Sequence, residues 1–521
     1  MPVITETDAW ARLAALQEGI ATTTLADMFQ RAPARADALG WELDGLWLDL
    51  SRQRLNPEII TALCALAQAA GLDDMRKALF SGQPVNATEG RAVLHMALRD
   101  LGGLTPAGFA ATAAGQKKAF LEFADAVRAG TATAASGKRF TDAVAIGIGG
   151  SHLGPQVVTT ALAEFDAPVR VHYVANADAT DLAGTLARLD LSATLFIVAS
   201  KTFTTAETMR NARSARDWLA ATLGEDAVAA HFAAVTSAPA RAQEFGIAPD
   251  RVFGFEDWVG GRFSLWSPVG LSAAVAIGAE GFERLLAGAH AMDRHFVQAP
   301  DAENLPVLLA LCDFWNRNFL SLPARAVLPY DERLRILPSH LQQLEMESNG
   351  KGVTLAGEAV ALSSAAVVFG MTGTNGQHTF HQMLHQGPPL IAAEFIGIAE
   401  PGHDLPHHHD MLLANMLAQA EALALGSREG PVERHCPGDR PSSLILLKRL
   451  DPERLGMLLA LYEHKVFVEG VLSGVNTFDQ FGVELGKSLA GPLIKVLAGD
   501  SGASPNPASA AAVARLKAWR G

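Results

Sequence analysis

Cysteine is scarce in this chain: Cys64, Cys312 and Cys436 are odd in number and far apart. That spacing gives neither a disulfide framework nor a zinc pattern, so inert thiols in a reducing compartment are expected. Long apolar runs are lacking as well, and none approaches the roughly 20 residues that a bilayer span needs. The first residues, Met1 to Asp8, lack a basic segment followed by an apolar one. No signal peptide is visible, and a cytoplasmic protein with no membrane partner is expected. Positive charge is also short. Lysine and arginine total 42 against 55 acidic residues, a formal net charge of −13. This argues against general nucleic-acid binding and against an anionic membrane surface. An anionic ligand would have to be held by a few placed cations.

The remaining composition describes a soluble globular protein: 521 residues, 49% hydrophobic and 19% charged. That length predicts roughly two or three domains. Residues 1 to about 110 read as helical. A helix opens at Asn56-Pro57-Glu58 and runs through Ile60, Leu63 and Leu66, and Thr88 to Arg99 reads as another. From residue 140 short apolar strands alternate with helices: 143–148, 169–174, 195–199 and a weaker 232–237. The rhythm returns at 324–330, 365–369 and 389–395, with a helical stretch near 270–320 between. This pattern predicts two parallel sheets flanked by helices. After Gly499 a linker leads into a short terminal helix.

The richest stretch is 196–209. The apolar run Phe196 to Ala199 stops at Ser200-Lys201-Thr202-Phe203-Thr204-Thr205, and a helix-like segment comes next. Hydroxyls, one ammonium and helix-start amides converge there with no carboxylate before Glu207, which is how a phosphate is held. A helix cap alone needs one hydroxyl. Gly149-Gly150-Ser151 after the first strand fails the dinucleotide spacing, since His152 stands where the third glycine belongs. It still lets a backbone approach an anion, though a tight strand-to-helix turn explains it too. Gly486-Lys487-Ser488 fails as a nucleotide loop because Phe481 stands where a glycine is needed.

Further groups carry proton chemistry. Gln343 and Glu347 are i and i+4 on one predicted helix face near Asn349-Gly350, an arrangement fit for a general base or for a plain solvated face. His378, on the glycine-rich turn 373–378, moves protons near neutral pH or is structural. Arg262, after Gly260-Gly261, reaches a developing oxyanion or makes a surface ion pair. Residues 475–487 read as one helix, with Gln480, Glu484 and Lys487 on a single face. His403, His407, His408 and His409 are adjacent on a pre-helix loop and rarely would all converge, so no metal is assigned.

Taken together, Asp257 to Gly270, Gly474 to Lys487, Gly147 to Pro155, Ser200 to Thr208, Met346 to Lys351, Gly373 to His378 and Asn86 to Arg99 resemble the glucose-6-phosphate isomerase (phosphoglucose isomerase) family, in order and nearly end to end. The resemblance implies an α/β fold: two three-layer α/β/α sugar-isomerase domains with mostly parallel sheets, a helical N-terminal segment and a C-terminal tail. The boundaries expected are 1–115 for the helical segment packing on the second domain, 116–285, 286–498, and 499–521 for linker and terminal helix. It also implies a homodimer, a hexose phosphate substrate, and no metal or organic cofactor. The implied catalytic residues are Glu347 (proton carrier between C2 and C1), His378 (ring opening), Lys487 (assisting at the ring or C1 oxygen) and Arg262 (enediolate). Gly150, Ser151, Ser200, Lys201, Thr202 and Thr205 would hold phosphate and nearby sugar, with Gln343 and Gln480 positioning substrate. Two departures stand out: His152 where the family usually has aspartate, and Gly370-Met371-Thr372-Gly373 in place of Gly-Glu-Pro-Gly. A non-catalytic sugar-phosphate sensor would need neither Glu347 nor His378. A two-substrate transferase would need an ammonia or nucleotide site, and none is found. Acceptance of mannose 6-phosphate is left open.

Overall fold

A computed structural model describes residues 4–499 and 506–520 of the chain. The linker expected after Gly499 therefore lies, at 500–505, outside the described residues, as do residues 1–3 of the N-terminus. The strands in chain order are β1 (Gly40–Leu43), β2 (Leu46–Asp49), β3 (Asp142–Ile146), β4 (Arg170–Val174), β5 (Thr194–Ala199), β6 (Phe232–Val235), β7 (Val252–Phe253), β8 (Ala324–Tyr330), β9 (Val367–Gly370), β10 (Ala392–Ile398) and β11 (Ser442–Leu447).

β5 is buried at every position, as a continuous apolar run must be when helices cover both faces of its sheet. It is the middle strand of a five-stranded sheet ordered β4-β3-β5-β6-β7, parallel throughout. The chain leaves β3 toward β4 and returns on the other side to β5, so the order reverses between β3 and β5. The second sheet runs β1-β2-β11-β10-β8-β9. Its core β11-β10-β8-β9 is parallel, and its order reverses between β8 and β10. In open parallel sheets such reversals create crevices beyond the carboxyl ends of the strands, where ligands sit.

Several expectations differ in detail. The N-terminal stretch read as helical also supplies the antiparallel hairpin β1–β2 on the edge of the second sheet. Asp44 and Gly45 turn it with φ of 47° and 80°, the paired positive angles of a tight hairpin turn. Thr88 to Arg99 is not one helix. Asn86 and Arg91 bridge across a turn in which Gly90 has φ 63°, and only His95–Arg99 coils, as a 3₁₀ helix. The helix expected over 475–487 begins only at Glu484. Gly474 at φ 65° closes the preceding helix, and Gln480 has φ −156°, so Gln480 shares no helical face with Glu484 and Lys487. β11 and the short β7 fall outside the strands expected from the sequence.

The helix Pro452–Ser473 is buried at every position from Leu455 onward. It packs so tightly on Leu271–Gln298 that a Cβ on Gly288 would collide with the Glu453 carbonyl, and one on Gly456 with that of Leu285. The described residues divide between Thr477 and Phe478 into two compact units. The second holds the helices Glu484–Ala498 and Pro507–Arg520. No helix among the described residues is long and apolar enough to cross a membrane.

Candidate active site

Between β5 and the helix Ala206–Leu223 the chain reverses through Phe203, whose backbone is left-handed at φ 54° while its ring is buried in the core of the first sheet. A non-glycine residue there costs about 1–2 kcal/mol, and the reversal turns the hydroxyls of the loop toward the helix start. Ser200 Oγ lies 3.0 Å from Thr205 Oγ1 and Thr202 Oγ1 2.7 Å from Thr204 Oγ1. Thr205 occupies the cap position, yet its side chain accepts no bond from the first turn of the helix. The plain capping role is thus unfilled, and the first-turn amides stay open to an anion. The carbonyls of the loop are already satisfied from behind: Lys201 O accepts from Ser237 N–H at 2.9 Å and Thr236 Oγ1 at 3.0 Å, and Thr202 O accepts from Arg241 at 2.8 Å. Lys201 Nζ sits 3.2 Å from Asp257 Oδ1, a counter-ion the sequence did not reveal.

β3 pairs with β5 so that Ile146 faces Val198, which brings the turn Gly149–Ser151 beside the Ser200 loop at the reversal point. A Cβ on Gly150 would collide with the Gly261 carbonyl, and one on Gly149, at φ 60°, would stand 3.0 Å from Gln343 Nε2. Glycine here is a requirement of close approach. It brings the Gly149–Ser151 turn against the turn carrying Arg262 and against Gln343.

Arg262 is buried and aimed by its neighbours. Its Nε donates to Ser348 Oγ at 2.6 Å and its Nη2 to the Thr477 carbonyl at 2.5 Å. Nη1 stands 3.6 Å from Glu347 Oε2, whose side chain is 22% exposed. Gln343 Nε2 donates to the same oxygen at 3.0 Å, and the buried Gln343 Oε1 has no hydrogen-bond partner among the described residues. The helix expected at Gln343 and Glu347 is a π-helix over Gln342–Glu347. The wider turn still places the two side chains in contact. Sequence reasoning missed Ser348 and Thr477; the only signal was their position beside residues already singled out.

His378 lies after β9 on the 3₁₀ turn Asn375–His378. It is exposed, and no hydrogen bond or ion pair joins it to Glu347 among the described residues. The loop is fixed by its neighbours instead, with Gln377 Nε2 donating to Tyr330 Oη at 2.9 Å. Gln480 and Lys487 belong to the second unit, Lys487 exposed in the first turn of the helix Glu484–Ala498. Within the first unit, Gly149 and Gly150 lie against Gln343 and the Arg262 turn, Arg262 and Gln343 meet at Glu347, and the loop of Ser200, Lys201, Thr202 and Thr205 follows β5, the strand beside β3.

His152, beside Ser151, stacks edge-on against Tyr173 with centroids 5.5 Å apart. Burial lowers its pKa below the ordinary histidine value, against opposition from Asp181 and Gln156. Among the described residues no group of three or more His, Cys, Asp or Glu is placed to hold a metal ion. The histidine-rich segment is not wholly a loop, since the helix His408–Leu425 already holds His408 and His409, and His409 Nε2 donates to the carbonyls of Ile398 at 2.9 Å and Ala399 at 3.1 Å.

Comparison with known proteins shows the family of the chain. The phosphoglucose isomerase family profile matches residues 49–513. A glucose-6-phosphate isomerase of Dechloromonas aromatica (strain RCB) is 48% identical over 508 residues, covering 95% of this chain and 96% of the relative. One from Chelativorans sp. (strain BNC1) is 49% identical over 527 residues, with the same coverage of 95% and 96%. The crystal structure of a glucose-6-phosphate isomerase from Chlamydia trachomatis D/UW-3/Cx superimposes with a TM-score of 0.88 at 31% identity, covering 99% of each chain. The chain belongs to the phosphoglucose isomerase family.

Proposed function

We propose that this chain interconverts glucose 6-phosphate and fructose 6-phosphate through an enediol, with Glu347 as the base. One observation carries the reading: a single partly exposed carboxylate lies between a buried, fixed guanidinium at 3.6 Å and an amide donor at 3.0 Å, beside an open helix start rich in hydroxyls. The phosphate dianion is taken up by Ser200, Lys201, Thr202 and Thr205 with Gly150 and Ser151. Its binding energy, remote from the reacting carbons, positions them. His378, with Lys487 at the ring or C1 oxygen, opens the pyranose. Glu347 removes the proton at C2, the electron pair passes to the carbonyl at C1, and the enediolate forms. A proton passes from the C2 hydroxyl to the C1 oxygen, and the same carboxyl returns its proton to C1 as the C2 carbonyl forms, giving the ketose. Arg262 faces the enediolate oxygen, where a fixed fork of donors acts most strongly on developing charge. Gln343 and Gln480 hold hydroxyls in place, and the unpartnered Gln343 Oε1 is suited to accept from one.

The relatives are isomerases by name, which leaves the sensor reading without support. A homodimer, a cytoplasmic location and service in both glycolysis and gluconeogenesis belong to the proposal. So do the domain limits 1–115, 116–285, 286–498 and 499–521. In support, β3 to β7 fall inside the second span and β8 to β11 inside the third. Incubation with glucose 6-phosphate in D₂O tests the reaction: fructose 6-phosphate accumulates and deuterium enters at the exchanging carbon. Light scattering at twice the chain mass of 55.0 kDa tests the dimer.

A further inference from the structure

Glu345 stands two residues before Glu347 on the same π-turn, yet its side chain is turned into the core and is 3% exposed. Its two oxygens are taken by two different cations. Oε1 pairs with Arg325 Nη2, from β8. Oε2 accepts from Lys465 Nζ at 3.0 Å, from the buried helix Pro452–Ser473. Both cations also hold Asp313, on the helix Leu305–Asn318: Arg325 directly and Lys465 at 2.8 Å. Lys465 reaches Glu469 at 3.3 Å, and Glu469 takes Arg317 at 2.8 Å. Close by, Tyr462 donates to Glu394 Oε1 at 2.5 Å, and burial pushes the Glu394 carboxyl up despite Arg325. Three cations thus balance three carboxylates in the interior, and they tie two helices and β8 to the π-turn.

Such a network is costly. Buried ion pairs replaced by apolar residues of similar volume are often neutral or stabilising. Stability alone does not account for it. The π-helix is itself rare and concentrates at functional sites. With its anchor lost, the segment is free to relax to α-helix, and one residue of slip swings the next side chains by about 100° about the axis. Glu347 would then leave Arg262 and Gln343.

We propose that Glu345, gripped by Arg325 and Lys465, is a positioning residue that holds the π-turn so that Glu347 faces Arg262. The inference rests on Glu347 being the base. Its test uses the full-length protein with glucose 6-phosphate, reading kcat, KM and Tm. Glu345→Gln alone leaves a buried charge unbalanced, so the decisive variant is Glu345→Gln/Lys465→Met, which removes one charge of each sign. The expected result is a kcat lowered by about 10–100-fold with KM within about twofold, and a Tm close to that of the parent. The control, Arg317→Met/Glu469→Gln, removes a pair of the same network that does not touch the π-turn and keeps the parent kcat. Glu345→Asp, which keeps the charge and shortens the reach by one methylene, gives an intermediate kcat. It also serves as the test where the double variant does not fold. Parent kcat in a folded anchor variant overturns the inference, and so does an equal loss in the control. Glu347→Gln separates this from the base assignment. Exchange surviving in that variant defeats the base itself, whereas its loss beside a fully active anchor variant defeats the positioning role alone.

Discussion

Two turns in the first unit each present one cation, and they are held in opposite ways. The Arg262 side chain is 3% exposed and pinned to Ser348 and the Thr477 carbonyl. Its turn rests on a packed floor. Phe263 stacks on His95 with centroids 4.8 Å apart, Arg99 lies 4.4 Å over the Trp266 ring, and Trp266 Nε1 donates to Glu463 at 2.7 Å. The Lys201 side chain is 30% exposed, and its ion-pair partner Asp257 is 77% exposed. Its loop is held through its carbonyls, by Ser237 N–H, Thr236 Oγ1 and Arg241, and no bond from these reaches the ammonium. A rigid guanidinium suits charge that appears and vanishes within one turnover. A partly exposed ammonium suits a dianion that must arrive and leave.

The largest effect should come from removing the group that the rigid cation faces. Glu347→Gln keeps substrate binding but lowers C2 proton exchange by about 10²–10⁴-fold, read by NMR in D₂O. Near-normal exchange would take the chemistry away from this turn altogether. Next is Arg262→Ala, expected to lower kcat by about 10²–10³-fold with a much smaller change in KM. A loss carried mainly by KM would put Arg262 in the same class as Lys201 and dissolve the contrast. Lys201→Ala should do the reverse, raising KM by about tenfold while kcat stays near the parent value. Its exposed pair with Asp257 contributes about 0–1 kcal/mol, so Tm should hardly move. A kcat collapse in Lys201→Ala would mean that this cation, too, acts on the transition state.

How far the sequence discloses these two turns differs for the same physical reason. The Ser200 loop works through local chemistry, with hydroxyls, a lysine and a helix start inside six residues, and a linear reading finds all of it except the counter-ion Asp257. The Arg262 turn works through distant partners: Ser348 and Thr477 lie 86 and 215 positions away. No spacing rule reaches that far; the two glycines before Arg262 single out the arginine but not the partners that fix it. The fold shows the same division. Buried parallel strands such as β5 announce themselves as apolar runs, whereas β1–β2 escapes a reading by helical periodicity despite its Asp44-Gly45 turn, a short-range hairpin signal. The helix expected at 88–99 fails at its start, where Asn476 Nδ2 donates to Asn86 Oδ1 at 2.9 Å and to Thr88 Oγ1 at 2.6 Å, tertiary ties that outweigh local periodicity.

The packed floor under Arg262 yields the smallest effect and the sharpest test of the contrast. It sets one guanidinium, Arg99, between two buried carboxylates, Asp293 and Glu463. At Asp293 burial opposes ionisation, but Arg99 and His464 outweigh it and hold the carboxyl well below its ordinary value. At Glu463 burial prevails over Arg99 and Trp266, and the carboxyl is pushed up from 4.5 to about 7. A carboxyl raised on folding binds its proton more tightly in the native state. Its stabilisation is fully present below about pH 4.5 and is lost as pH rises through about 7, because there the folded form holds more protons than the unfolded one. Asp293 acts with the opposite sign and only at lower pH. The parent should therefore lose Tm across that window, and Glu463→Gln should flatten the slope by a few degrees. Lys201→Ala, whose loop does not rest on this floor, should leave the slope as it is. An unchanged slope in Glu463→Gln would show that the proton is held elsewhere in the cluster and that the floor beneath Arg262 is not set by Glu463.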